Sequence, residues 1–396
     1  MEVVDAILDN MKLEVDVEVF TDILSQTTKA RLNKQIAKSG YKIIGKGKGV
    51  SAENSILGLN TYILVNNKDK ERVYKIIPFK SKEKKSRISG KYISIENIYN
   101  EIVINYILDK KDKGNKIKRP RLYGYNIITS NDVEFLIIVY ENLYIGKKRS
   151  SIGDKIYPEL CSTKNANKKL LQAGDRLFNY SHKLKLIHGD IKMDNICIKY
   201  NKKKGEITDL EFYLLDFGSS SIEYRGYIFN PIPKVDVKNV TGVTGSIKCN
   251  LINKKENYYQ FKNLPNQYFL YYLTNINPCF IDNCILCGSF DKLCLLLSLL
   301  IYYFKYCKEK KEENEIIDYI GETYIDFPYE KVKQDIIQMI KKKGKQIFRK
   351  KVLYDLIIAI NFKIPLLKKT QTSKKTKRKV KRTLKRNLKR TKSYFS

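Results

Sequence analysis

The apolar pattern changes character about a third of the way along the chain, and that change restricts the fold more than any other feature. Up to about residue 143 the apolar residues come in short runs rich in β-branched and aromatic side chains: Tyr41-Lys42-Ile43-Ile44, Tyr62-Ile63-Leu64-Val65, Arg72-Val73-Tyr74-Lys75-Ile76-Ile77 and Phe135-Leu136-Ile137-Ile138-Val139-Tyr140. Such runs read as strands, and Asn67-Lys68-Asp69-Lys70 between two of them reads as a hairpin turn. A helix is expected from about Ser94 to Leu108, where Ile95, Ile98, Ile102 and Tyr106 recur at helical spacing. Beyond residue 143 the pattern is mainly helical, apart from a short strand-like pair around Ile196-Cys197-Ile198 and Phe212-Tyr213-Leu214-Leu215. A β-rich first part and a helical remainder predict an α+β fold, with a cleft between the two parts as the natural ligand site.

A chain of 396 residues accommodates one two-part domain of roughly 300 residues with extensions, or two ordinary domains. Residues 1–40 start acidic and end basic, with apolar spacing for one or two helices and no assigned role. The net charge of +34 points to anionic partners. From Lys368 onward about half of the residues are Lys or Arg and none is acidic, so 368–396 is expected to be a disordered basic tail. Within it Val380, Leu384 and Leu388 recur every fourth position between Lys-Arg pairs, an arrangement suited to nucleic acid or another polyanion. A solvated tail that merely aids solubility is the plainer alternative.

Eight cysteines, several in apolar runs, read as reduced core residues and not as a disulfide framework. Zinc binding by Cys279, Cys284, Cys287 and Cys294 is disfavoured, because the spacing is not that of paired knuckles and no histidine is near. No secretory signal is evident, and the longest apolar run, near Leu293 to Phe304, is too short to span a bilayer. These features predict a soluble intracellular protein without a transmembrane segment, and a monomer.

The chemistry concentrates in His188-Gly189-Asp190-Ile191-Lys192-Met193-Asp194-Asn195, followed after an apolar strand by Asp216-Phe217-Gly218. The pair resembles the catalytic loop H-R-D-x-K-x-x-N and the D-F-G motif of eukaryotic-type protein kinases. The resemblance spans about residues 41–365. It implies a bilobal fold, with a small β-rich N-lobe over about 41–143 and a larger, mostly helical C-lobe over about 144–367. It also implies phosphoryl transfer from ATP with Mg²⁺ to Ser/Thr hydroxyls of protein substrates. Asp190 would then accept the hydroxyl proton and Lys192 would steady the transferred group, while Asn195 and Asp216 would hold Mg²⁺ through hard oxygen ligands.

Further positions follow from the same resemblance. Lys75 matches the strand lysine that grips the α- and β-phosphates, and Glu101, with Glu96 as the alternative, the helix glutamate that pairs with it. Ile44-Gly45-Lys46-Gly47-Lys48-Gly49-Val50 is similar to the glycine-rich phosphate loop, so Gly45, Gly47, Gly49 and Val50 would lie against the nucleotide. The stretch from Tyr140 through Glu141 to Leu143 would border adenine. His182 and His188 would be structural anchors, and Asp291 would open a central helix and cap the catalytic-loop backbone.

The sequence also departs from that family. Gly189 stands where arginine is usual, which removes the pocket for a phosphorylated activation loop and predicts constitutive activity or another route of regulation. A-P-E is absent; Thr241-Gly242-Val243-Thr244-Gly245-Ser246-Ile247 resembles the substitute in the casein-kinase and vaccinia-related-kinase branch. The basic tail is similar to those on proteins of large DNA viruses, which implies the cytoplasm or nucleus of a host cell, or a virion. The competing readings are a small-molecule kinase on the same fold, which Lys192 disfavours, and a catalytically inactive kinase-like nucleic-acid-binding or virion protein. The joint presence of Lys75, Asp190, Asn195 and Asp216 disfavours the second.

Overall fold

The computed structural model describes residues 2–26, 29–47, 61–79, 85–89, 92–144, 149–160, 163, 165–231, 284–307, 316, 318–319 and 329–343. Gly49, Val50, the segment Thr241–Ile247, Cys279 and the basic tail lie outside the described residues.

The fold is mixed α+β. Three helices open the chain, α1 (Glu2–Asn10), α2 (Val17–Leu24) and α3 (Lys29–Lys38), one more than the sequence pattern suggested. They lead into β1 (Tyr41–Gly47), β2 (Thr61–Asn66) and β3 (Arg72–Phe79), then a short hairpin of β4 (Ser86–Ser89) and β5 (Tyr92–Ile95). Helix α4 (Asn97–Lys111) follows, and then β6 (Leu122–Ser130) and β7 (Val133–Glu141). Strands β1, β2, β3, β7 and β6, in that order, form an antiparallel sheet. The expected turn between β2 and β3 closes through the Asn66 side chain, which accepts from the amides of Lys68 at 2.8 Å and Asp69 at 3.3 Å.

The alternation of strand side chains gives this sheet two apolar faces. Ile77, Leu136, Ile138 and Tyr140 face the cluster that contains α4, while Tyr74, Ile76, Ile137 and Val139 face a second cluster with Phe20, Ile23, Leu32 and Ile36 of α2 and α3. The N-terminal helices therefore supply an outer layer without which the second face would be bare. Helix α1 joins the other cluster: Val4, Ile7 and Leu8 are buried with Tyr99, Ile102 and Val103 of α4. The link between α1 and α2 docks on β6, where Leu13 N–H donates to Tyr125 O and Tyr125 N–H donates to Met11 O, both at 2.9 Å. Gly124 permits that approach, because a Cβ there would lie 2.6 Å from Met11 O and 2.7 Å from Leu13 Cβ.

The remainder begins with β8 (Arg149–Ile152), α5 (Gly153–Leu160), α6 (Ala166–Lys183) and β9 (Leu186–Ile187). It continues through β10 (Ile196–Lys203), β11 (Glu206–Leu214), β12 (Ser221–Tyr224) and β13 (Tyr227–Pro231) to α7 (Cys284–Tyr306) and α8 (Tyr329–Lys343). It holds more β structure than expected, in a sheet ordered β11-β10-β8 and another ordered β4-β5-β13-β12-β9. The parallel β5–β13 pair joins residues 92–95 to residues 228–231, a long-range pairing that no local pattern announces. It also accounts for a misplaced boundary: Ile95 belongs to β5, so the helix starts at Asn97 and not at Ser94. Helices α6 and α7 pack closely at Gly174, where a Cβ would come within 2.7 Å of Leu295 Cδ2.

Cys197 and Cys294 are buried free thiols, whereas Cys307 is disulfide-bonded, which departs from the all-thiol expectation. No helix among the described residues is long and apolar enough to cross a membrane.

Candidate active site

Three elements of the first part and two of the second converge on one place. Lys75 sits mid-strand in β3, in a row that runs across the sheet through Gly45, Ile63, Lys75, Ile138 and Tyr125. Its ammonium lies 2.7 Å from Glu101 Oε2 on α4 and 3.5 Å from Asp216 Oδ1. The other Glu101 oxygen accepts from the Tyr140 hydroxyl of β7 at 2.7 Å. Glu101 is thus the partner of Lys75; the alternative, Glu96, occupies the N-cap of α4.

Electrostatics match this geometry. Burial alone would lower the Lys75 pKa, but Asp216 and Glu101 outweigh it and hold the ammonium above its ordinary range. Burial pushes Glu101 upward against the pull of Lys75. The two tendencies conflict for one ion pair, and the direction we stand behind is that of Lys75, since contacts of 2.7 Å from both an ammonium and a hydroxyl favour the carboxylate. Lys75 pulls the Asp216 carboxyl down to about 2 against the effect of burial, with help from Lys192.

The second cluster comes from the loop between β9 and β10. Lys192 Nζ is 3.2 Å from Asp190 Oδ2, and Asn195 Nδ2 donates to Asp190 O at 2.9 Å and to Asp190 Oδ2 at 3.1 Å. Burial would lower Lys192, but Asp190 and Asp216 raise it, so it stays cationic between two carboxylates. Leu215 N–H donates to Asn195 O at 2.9 Å, which ties this loop to the residue before Asp216.

His188 is a structural anchor. Asp190 N–H donates to its Nδ1 at 3.4 Å, and its Nε2 lies 2.9 Å from Leu215 O, which places the ring proton on Nε2. The ring packs on Phe217, with centroids 5.1 Å apart. Below it the Asp291 carboxylate accepts from His188 N at 2.7 Å and from Gly189 N at 3.1 Å. Gly189 has φ 74°, a left-handed conformation that explains glycine at this position. Asp291 caps this backbone from inside α7, well after the helix has begun at Cys284, and does not open the helix as the sequence suggested. His182 is exposed near the C-terminus of α6.

Gly45 and Gly47 lie in β1, opposite Ile63 and Thr61. Glu141 ends β7 with its amide donating to Arg121 O at 2.8 Å and a carboxylate oxygen accepting from Arg121 N at 3.1 Å, and Leu143 is buried just beyond.

Sequence reasoning gave no role to Asn100, which is fully buried and donates to the Phe217, Gly218 and Ser220 carbonyl oxygens at 3.3, 3.1 and 2.8 Å. The signal was available: Asn100 and Glu101 are adjacent polar residues in a helix that is apolar on nearly every side. Ser220 was also missed; its hydroxyl donates to His188 O at 2.9 Å.

Among the described residues, no group of three or more His, Cys, Asp or Glu could hold a metal ion. The oxygen donors at hand are the Asp216 carboxylate, with its side chain 49% exposed, and the Asn195 amide. No protein-family model matches the chain, and no curated protein aligns with it significantly.

Proposed function

We propose that the chain is an ATP- and Mg²⁺-dependent protein kinase that transfers the γ-phosphoryl group to Ser/Thr hydroxyls of protein substrates, on a bilobal scaffold with the site in its cleft. The observation that carries this reading is the meeting at Asp216 of Lys75, 141 residues away along the chain and paired with Glu101, with the Asp190–Lys192–Asn195 cluster. A purely structural ion-pair network would not need an exposed carboxylate flanked by two lysines.

The roles follow from charge and position. Lys75, fixed by Glu101, would bind nucleotide phosphates. Asp190 would accept the proton of the acceptor hydroxyl as its oxygen forms the new P–O bond and the bond from the γ-phosphorus to the β-phosphate oxygen breaks, releasing ADP. Lys192 contacts Asp190 and stays cationic, so it would offset charge on the moving phosphoryl group. The fit to Mg²⁺ rests on donor chemistry: one ionised carboxylate and one amide suit an ion held largely by substrate phosphates. When bound, Mg²⁺ would supply Lewis-acid neutralisation of phosphate charge. Asn195 uses its amide nitrogen on Asp190, leaving its carbonyl oxygen as the ligating atom.

The test is acceptor identity. Wild type and Asp190→Asn are incubated with γ-labelled ATP, Mg²⁺ and a mixture of acidic and basic proteins, and the labelled amino acids are identified. Label on Ser and Thr from wild type alone supports the reading; equal labelling by both proteins contradicts it.

A further inference from the structure

We infer that Asn100 is a positioning residue that sets the presentation of Asp216, an inference that rests on the phosphotransfer reading above. Asp216 adopts a left-handed backbone conformation, φ 61° and ψ 76°, which a non-glycine residue keeps only when its surroundings impose it. The imposition has to come from the turn that follows, Phe217–Ser219, and from whatever holds that turn. Asn100 supplies the hold, with one amide nitrogen facing the three carbonyls of residues 217, 218 and 220. Only a donor suits three carbonyl oxygens, so the orientation of the amide is determined by its surroundings.

The contact joins the two halves of the site. Asn100 and Glu101 are neighbours on α4, so the helix that orients Lys75 through Glu101 also holds the turn that carries Asp216. Lys111, at the far end of the same helix, donates to Leu184 O at 2.8 Å and to Glu223 O. Displacement of α4 would therefore disturb Lys75 and Asp216 together.

A satisfied core asparagine would be the bland explanation, and the other end of the amide argues against it. Asn100 Oδ1 is buried and has no hydrogen-bond partner among the described residues. A leucine would fill the space without the orphaned Oδ1, but it would take the donor away from the carbonyl oxygens of residues 217, 218 and 220. The merit of asparagine lies in the three donor contacts, and these serve the Asp216 turn.

Asn100→Leu keeps the branched outline of the side chain and removes the donors; Asn100→Ala, which cannot overpack, serves as the second variant. In ligand-free protein, amide hydrogen exchange over Phe217–Ser220 should quicken while the β3–β7 strands keep wild-type protection. With ATP, the Mg²⁺ concentration for half-maximal transfer should rise roughly 10- to 100-fold, the range for losing a residue that orients a metal ligand. Unchanged exchange in both variants, or lost activity with falling melting temperature and unchanged Mg²⁺ half-saturation, would overturn the inference. Should wild type transfer no phosphate, the kinase reading fails by itself, and the exchange measurement still decides whether Asn100 holds the turn.

Discussion

Tyr140 holds the carboxylate oxygen of Glu101 that Lys75 does not use: its hydroxyl donates to Oε1 at 2.7 Å, while Lys75 engages Oε2 at the same distance. Glu101 is thereby fixed from two strands of one sheet, and a buried carboxylate acquires the two partners it needs. Tyr140→Phe deletes one of them without changing shape. It should lower stability by about 1–3 kcal/mol, the cost of leaving a buried acceptor unsatisfied, as read from urea unfolding.

Removing the charge partner should cost more. Lys75→Met leaves Glu101 buried against apolar neighbours, and a broken buried pair typically costs about 3–5 kcal/mol. The double variant Lys75→Met/Glu101→Gln should recover part of that loss in the same unfolding assay while remaining inactive. Equal stability of the single and double variants would show that the pair does not couple.

The N-terminal helices should prove integral to the fold. Gly124→Ala places a Cβ against Met11 O and Leu13 Cβ and should destabilise by about 1–3 kcal/mol, the range for overpacking. Hydrogen exchange should quicken first in residues 2–24. Leu8→Ala, which opens a cavity between α1 and α4, should cost about 2–5 kcal/mol.

Acid should weaken the site in a defined direction. Asp216 is pulled down to about 2 by Lys75, below the value of about 3.9 for an aspartate in an unfolded chain. A depressed folded value means that the contribution is complete above about pH 4 and is lost as pH falls toward 2. Solvent screening of this half-exposed side chain reduces its size. Urea midpoints of wild type should therefore fall more steeply than those of Asp216→Asn between pH 4 and 2 and run parallel above pH 5.

Much of this arrangement was legible in the sequence because its signals are local. Strand runs such as Tyr62–Val65 and the turn at Asn67–Lys70 follow from neighbouring residues, and β3 and β7 fall where the apolar runs stand. The residues at 188–195 and at Asp216 stood out through their resemblance to two kinase motifs, and Lys192 contacts Asp190 and acts on Asp216 in the fold. What escaped depends on distant partners. The parallel pairing of β5 with β13 took Ile95 out of the helix, and the second apolar face of the sheet gave residues 17–38 their place. Asn100 was visible as a polar residue in an apolar helix, but its role escaped because its partners lie more than 100 residues away.

The central claim is that Asp190 takes the proton of an acceptor hydroxyl during phosphoryl transfer, and the direct measurement is the initial rate of transfer from γ-labelled ATP to a protein substrate. Asp190→Asn keeps the shape of the side chain and removes the base. Its rate should be about 10²–10⁴-fold below that of wild type, with the melting temperature unchanged. A variant that transfers phosphate at the wild-type rate, or a wild type that transfers none with Mg²⁺ and ATP present, would contradict the account.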